Sequence, residues 1–236
     1  MQNKKVLIAV TSHHTLGTTG RQTGYYLPEV THPVQALLGA GFTPSQIDIV
    51  SPQGGKAPVD PSSYDLADPV NRQFIETPDL ASKLEQTLSP SQVNPADYQA
   101  ILFAGGHGAV WDFPQAEALL QIATTIYEQQ GIVSAVCHGP AALVNLKLSD
   151  GSYLVAGKHV AAFTDDEERA VKLDSVVPFL LASTLQKRGA IHEGADLWQP
   201  KVVVDGRLVT GQNPASAWGV GEAVAHLLTN QETASR

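Results

Sequence analysis

The chain has 236 residues, enough for one large α/β domain with a substantial core. Its 43% hydrophobic and 16% charged residues argue against disorder, and a net charge of −8 without a basic cluster removes electrostatic support for nucleic-acid binding. The single cysteine excludes an intrachain disulfide and a metal site built on several thiolates, and a lone thiol is at home in a reducing compartment.

Met1 to Lys5 is polar, and the apolar run Val6 to Val10 is too short for a signal-peptide core and has no small-residue cleavage site behind it. Nothing reaches the roughly 18 apolar residues that a membrane helix needs, so the expectation is a cytoplasmic protein without a membrane partner. Lys5 to Val10 reads as a buried strand. The polar stretch from Thr11 to Gly24 is too long for a simple βα turn and reads as a functional loop or a hairpin. His32-Pro33 then opens a helix through Ala40, stopped by Gly41. Ile47 to Val50 is a short strand, Ser51 to Ser63 an ordered excursion, and Asp79 to Leu88 a helix.

Ala100 to Phe103 is a third strand, ended by Gly105-Gly106-His107-Gly108. Pro114 to Gln130 is a helix with Ala118, Leu119, Ile122 and Ile126 on one face. Ile132 to Val136 is a fourth strand running into Cys137-His138-Gly139-Pro140 and an apolar helix. Leu173 to Lys187 is another helix. Lys201 to Val204, Asp205-Gly206 and Leu208 to Thr210 form a hairpin. Asn213-Pro214 caps and opens the last helix, through Leu228. Strands alternating with helices imply an α/β sandwich of flavodoxin-like type, with a mainly parallel sheet covered on both faces. No linker, repeat or low-complexity segment divides the chain, so residues 1–236 read as a single domain.

Ligands of open α/β sheets bind beyond the carboxyl ends of the strands, and Cys137 lies there. Gly139 allows close backbone approach and Pro140 suits a first helical turn, which is the logic of a nucleophile elbow with cysteine in place of serine. A helix N-terminus after the turn is expected to lower the thiol pKa and to offer N–H groups to a developing oxyanion. The loop Gly105, Gly106, His107 and Gly108 should lie beside the elbow and face a substrate oxygen. Neither loop is a G-x-G-x-x-G or phosphate-loop sequence, so no nucleotide cofactor is expected. His13-His14 lacks a third ligand at suitable spacing, so no metal is expected. Adjacent residues on a helix do not face each other, which places His138 better for a bound carbonyl than for the Cys137 thiol.

With these residues in place, the chain resembles the ThiJ/PfpI superfamily, of class I glutamine-amidotransferase-like fold. Within it, the sequence is similar to the branch of heat-shock chaperones and glutathione-independent glyoxalases (glyoxalase III). The resemblance rests on Glu29 before His32-Pro33, Ser51-Pro52-Gln53-Gly54-Gly55, the two glycine and cysteine loops, Phe163-Thr164 before an acidic run, and Thr210 to Ser216. Ala162 departs from the glycine expected before Phe163.

The resemblance implies Cys137 as nucleophile, His138 as its acid/base partner, and Glu29, arriving from the first loop, as a carboxyl group close to the thiol. It also implies a third acid after Phe163-Thr164 that orients the histidine. Glu168 matches that spacing best, with Asp165, Asp166 and Glu167 in the same segment. Glutamine amidotransferases pair the cysteine with a later His-x-Glu, and none of His159, His192 and His226 is followed by glutamate two residues on. The expected activity is therefore a cofactor-free glyoxalase acting on small reactive carbonyls through a cysteine hemithioacetal. The alternatives are a holding chaperone for misfolded proteins or a deglycase of glycated proteins, as implied by the resemblance, and a cysteine redox sensor. The resemblance also implies a homodimer.

Overall fold

The computed structural model describes residues 5–234, so the reading of Met1 to Lys4 lies outside the described residues. The strands are β1 (Lys5–Ala9), β2 (Ile47–Val50), β3 (Tyr98–Phe103), β4 (Ile132–Val136), β5 (His159–Val160), β6 (Ile191–His192), β7 (Val202–Asp205) and β8 (Leu208–Gly211). The helices are α1 (Pro28–Gly39), α2 (Pro69–Ile75), α3 (Pro78–Glu85), α4 (Ala109–Asp112), α5 (Glu117–Glu128), α6 (Asp165–Ala170), α7 (Leu181–Lys187) and α8 (Ala217–Ala234).

Six strands form the central sheet in the order β2-β1-β3-β4-β8-β7, parallel except for β7, which runs antiparallel to β8. This is the doubly wound pattern, whose parallel strands need both faces covered. The sequence meets that demand with near-continuous apolar runs: every residue of β4 is buried, as are Val6 to Ala9 of β1. Side chains alternate between two cores. Leu7, Ile101, Phe103, Val133 and Ala135 face the layer containing α5, while Val6, Ile8, Leu102, Ile132 and Val136 face the layer of α1 and α8. No helix among the described residues is long and apolar enough to cross a membrane.

Several elements differ from the reading of the sequence. Helix α1 begins at Pro28, not at His32-Pro33, and Pro33 sits inside it. Two prolines compete for the first-turn position, and Pro28 takes it. Glu29 consequently belongs to the first turn of a helix rather than to a loop. The segment after Cys137 is a short 3-10 helix, Gly139–Leu143, not an α-helix. The proposed helix over Leu173–Lys187 is interrupted. Lys172 has φ 60 and the chain turns until Leu181, while the acidic run before it forms α6. On α5 the buried face is Leu119, Leu120, Ile122, Ala123 and Ile126, whereas Ala118 is exposed. Residues 69–75 form α2, and β5 and β6 pair as a separate small sheet, both unread in the sequence. Residues 11–24 do fold back, through a Thr15–Gln22 antiparallel bridge. Asp112 pins that loop by accepting from the Thr11 hydroxyl and the Ser12 N–H, both at 2.7 Å.

The elbow is clamped against β3. A Cβ on Gly139 would stand 2.0 Å from the Phe103 carbonyl oxygen. Backbone cannot yield there as a flexible side chain would. Gly139→Ala should therefore lose about 1–3 kcal/mol in denaturant unfolding; a loss under about 0.5 kcal/mol, within the range of surface changes, would mean that the elbow is not held this tightly.

Candidate active site

Cys137 has φ 63, one of four non-glycine residues with positive φ among the described residues. A cysteine in the left-handed region is unusual. It is held by two long-range bonds: its N–H donates to Gly211 O, and Phe163 N–H donates to Cys137 O, both at 2.9 Å. β8 and the segment entering α6 thus force the sharp reversal after β4. The reversal turns the side chain out of the strand and brings the next residue's ring to it. His138 Nδ1 lies 3.6 Å from Cys137 Sγ. The helical rule that separated the two residues does not apply, because Cys137 is not in a helix.

The other imidazole nitrogen of His138 donates to Glu168 Oε2 at 2.7 Å, which leaves Nδ1 as the basic nitrogen toward the sulfur. Glu168 Oε1 accepts from His107 Nε2 at 2.6 Å. Of the four acids after Phe163-Thr164, Glu168 is therefore the one that reaches His138. Glu167 points elsewhere: it accepts from Thr164, Gln212 and Asn213 and from the Trp198 N–H. Asp165 is taken by Ser183, and Asp166 pairs with Arg169 at the surface. Although burial opposes it, the two histidines hold the Glu168 carboxyl well below the usual carboxylate range, His138 foremost. Burial, reinforced by His107, lowers the His138 pKa against the pull of Glu168, so the ring rests neutral.

Glu29 is fully buried, and its Oε1 accepts the Gly105 N–H at 3.0 Å. Its Oε2 has no other hydrogen-bond partner, and the carboxyl lies against the Cys137 thiol. Burial pushes Glu29 well above its ordinary value. Burial also pushes the thiol up, with Glu29 adding to it, while the His138 backbone N–H pulls the other way. The α-helix expected to lower the thiol pKa is absent. Two buried neighbours of this kind cannot both be charged. With Glu29 protonated its repulsion vanishes, and its O–H becomes a donor to the sulfur.

The glycine loop divides in two. Gly106 and His107 line a cavity of about 220 Å³ together with Cys137, His138, Tyr26 and Phe163. Gly105 and Gly108 instead face inward. A Cβ on Gly105 would stand 2.3 Å from Glu29 Oε1, and one on Gly108 would stand 2.5 Å from the His13 carbonyl. Arg21, Asp60 and Ser62 at the cavity mouth, and Leu16, Val171, Leu173 and Trp198 in its walls, carry no local sequence signal. They come from loops that only packing assembles. His13 and His14 stand apart, His13 stacking on Trp111 with ring centroids 5.1 Å apart. Among the described residues, the group with metal-capable spacing is His107, His138 and Glu168, whose ligand atoms lie within 4.8 Å of one another. A cation there would have to displace both Nε2 protons that now bind Glu168.

The doubly wound sheet carries at the end of β4 a buried cysteine of positive φ in contact with an imidazole–carboxylate pair. The chain belongs to the DJ-1/PfpI family, whose model matches residues 22–226. It is 36% identical over 229 residues to the glutathione-independent glyoxalase HSP31 of Saccharomyces cerevisiae, covering 92% of this chain and 94% of that one. Its structure is similar to that of the Rapid Encystment Protein 24 KDa of Francisella tularensis, with TM-score 0.89 and 38% identity over 94% of this chain and 98% of the other. It is also similar to glyoxalase III of Candida albicans, with TM-score 0.85 and 30% identity over 94% and 96% of the two chains.

Two outcomes test the electrostatics of Glu29. Replacing a protonated donor by an apolar side chain leaves the sulfur buried without it, so Glu29→Leu should move the pH midpoint of Cys137 alkylation by iodoacetamide upward. A downward move would identify Glu29 as a charged, repelling carboxylate. A raised folded pKa also means that the native state binds more protons than the unfolded chain above the ordinary value of 4.5. The native state therefore loses stability as pH rises from there toward the folded pKa. Glu29→Gln should flatten that decline in thermal melts between pH 5 and pH 8 (about the working range of such melts), and an unchanged slope would show that Glu29 does not titrate in this way.

Proposed function

We propose that this chain is a cofactor-independent glyoxalase that converts methylglyoxal to lactate, and glyoxal to glycolate, through a hemithioacetal on Cys137. The observation that carries the reading is the chain of contacts from the Cys137 sulfur through His138 to Glu168, opening on a small cavity beside the buried carboxyl group of Glu29. Supporting it, the similar yeast protein is named a glutathione-independent glyoxalase and the similar Candida structure a glyoxalase III.

In this mechanism the Cys137 sulfur attacks the aldehyde carbon, C1, and His138 Nδ1 takes the thiol proton. Glu168, ionised between two imidazoles, stabilises the imidazolium that forms. The new C–S bond leaves an oxyanion on C1. Gly106 lines the cavity, and in this reading its N–H meets the oxyanion before the imidazolium returns the proton. Neutral His138 then removes the C1 hydrogen to give an enediolate and delivers that proton to C2, while the C1 hydroxyl proton passes to the C2 oxygen. C1 becomes a thioester carbonyl and C2 an alcohol. Water cleaves the thioester, releasing lactate and the thiol. Atoms and electrons balance as an internal redox isomerisation plus one water, so glutathione and nicotinamide have no step to perform.

The test is lactate formation from methylglyoxal without glutathione. Cys137→Ala should abolish it. Glu168→Gln, which keeps the shape but loses the charge behind His138, should lower kcat by about 10²–10⁴-fold, the usual worth of positioned acid–base catalysis. Full turnover by the Cys137→Ala protein would overturn the mechanism.

A further inference from the structure

Trp198 is the large side chain least expected where it stands. Its backbone has φ 66, a conformation that costs a bulky residue strain and persists only where the surroundings impose it. A turn closed by the Gln199 N–H on Asp196 O at 3.0 Å sets it, and Glu167 fastens that turn to α6. This carboxylate is fully buried on α6 and accepts the Trp198 N–H at 3.2 Å while it also binds Asn213 Nδ2 at 3.0 Å and Gln212 Nε2 at 2.9 Å. The indole nonetheless remains 44% exposed, so the strain does not serve to bury it in the core. Instead it lines the cavity over Cys137, with its ring 5.8 Å from Phe163, whose own ring lies 4.3 Å from that of His138. Lys172, another non-glycine residue with positive φ, lies between the cavity-lining Val171 and Leu173. Cys137 and Trp198 both have positive φ and both line the cavity, while the positive φ of Lys172 ends α6 beside it.

Beside Cys137, His138 and His107, the cavity lining holds the rings of Phe163, Trp198 and Tyr26 and the aliphatic Leu16, Val171 and Leu173, with Arg21, Asp60 and Ser62 among its polar members. At about 220 Å³ it is larger than a two-carbon or three-carbon dicarbonyl requires; an apolar cavity of about 150 Å³ accommodates benzene. Resting on the glyoxalase reading above, we propose that Trp198 is a specificity-determining residue that receives the substituent on C2, and that the site favours 2-oxoaldehydes bearing an aryl group over methylglyoxal. The same proton transfer then yields a 2-aryl-2-hydroxy acid. Glu167 is the positioning residue that holds the indole in place without touching substrate.

The experiment compares phenylglyoxal with methylglyoxal in the wild-type protein and in Trp198→Gly. Glycine adopts positive φ at no steric cost, so this variant should keep the fold, and its Tm, measured alongside, separates specificity from collapse. The wild type should show a kcat/KM ratio favouring phenylglyoxal by about tenfold or more, the scale on which an apolar pocket discriminates. In Trp198→Gly that ratio should fall toward one, mainly through KM for phenylglyoxal. A second measurement does not depend on turnover: isothermal titration of mandelate against lactate, the two corresponding products. Tighter mandelate binding that Trp198→Gly abolishes supports the aryl site even if neither aldehyde is consumed, which would sink the glyoxalase reading alone. A ratio and a mandelate affinity both unchanged in Trp198→Gly would overturn the assignment of Trp198.

Discussion

The site depends on one backbone conformation. At the end of β4 the chain must turn sharply, and Cys137 takes up the turn in the left-handed region because its N–H and C=O are both held, by Gly211 and Phe163. A cysteine free of those two bonds would relax toward an ordinary extended conformation. The sulfur would then lose its contact with His138, and the His138 ring its alignment with Glu168. The strain is stored in the sheet: β8 supplies Gly211, and β3 supplies the Phe103 carbonyl against which only a glycine fits at position 139. A doubly wound sheet can bear this because its central strands are buried on both sides and resist local unfolding.

Around that turn, the surroundings favour ionising one carboxyl group and not the other. Glu168 receives two imidazole N–H groups, which favour its charged form; Glu29 receives a single backbone N–H in a buried place, where desolvation favours the protonated form. Carboxyl groups with different partners thereby take different protonation tendencies, one beside the His138 imidazole and one beside the Cys137 thiol. Glu167, next to Glu168 in sequence, spends its charge on a structural network instead. Adjacent residues near the start of a helix point in different directions, so one α6 turn serves both the reacting centre and the cavity wall.

The sequence of strands and helices was legible from hydrophobic patterning, and so was the elbow, because each rests on local spacing. The α/β architecture and the β7–β8 hairpin follow from that spacing as expected. Boundaries shifted where two local signals competed. Pro33 looked like a helix start but lies inside α1, since Pro28 had already set the first turn. The run after Cys137 looked helical but tightened into a 3-10 turn against β3. His107, read as a loop donor, is bound through its ring to Glu168 from 61 positions away, a contact that no local pattern encodes.

By itself, then, the sequence determined the order of strands and helices and the presence of a thiol, an imidazole and acidic candidates at strand ends, because those follow from short-range stereochemistry and hydrophobic periodicity. Only the tertiary structure decided which acid meets His138, that Glu29 is buried on a helix rather than free in a loop, that burial works against an easily ionised sulfur, and which side chains wall the cavity. Those outcomes depend on desolvation and on distances between segments far apart in the chain, and both are set by how the layers pack.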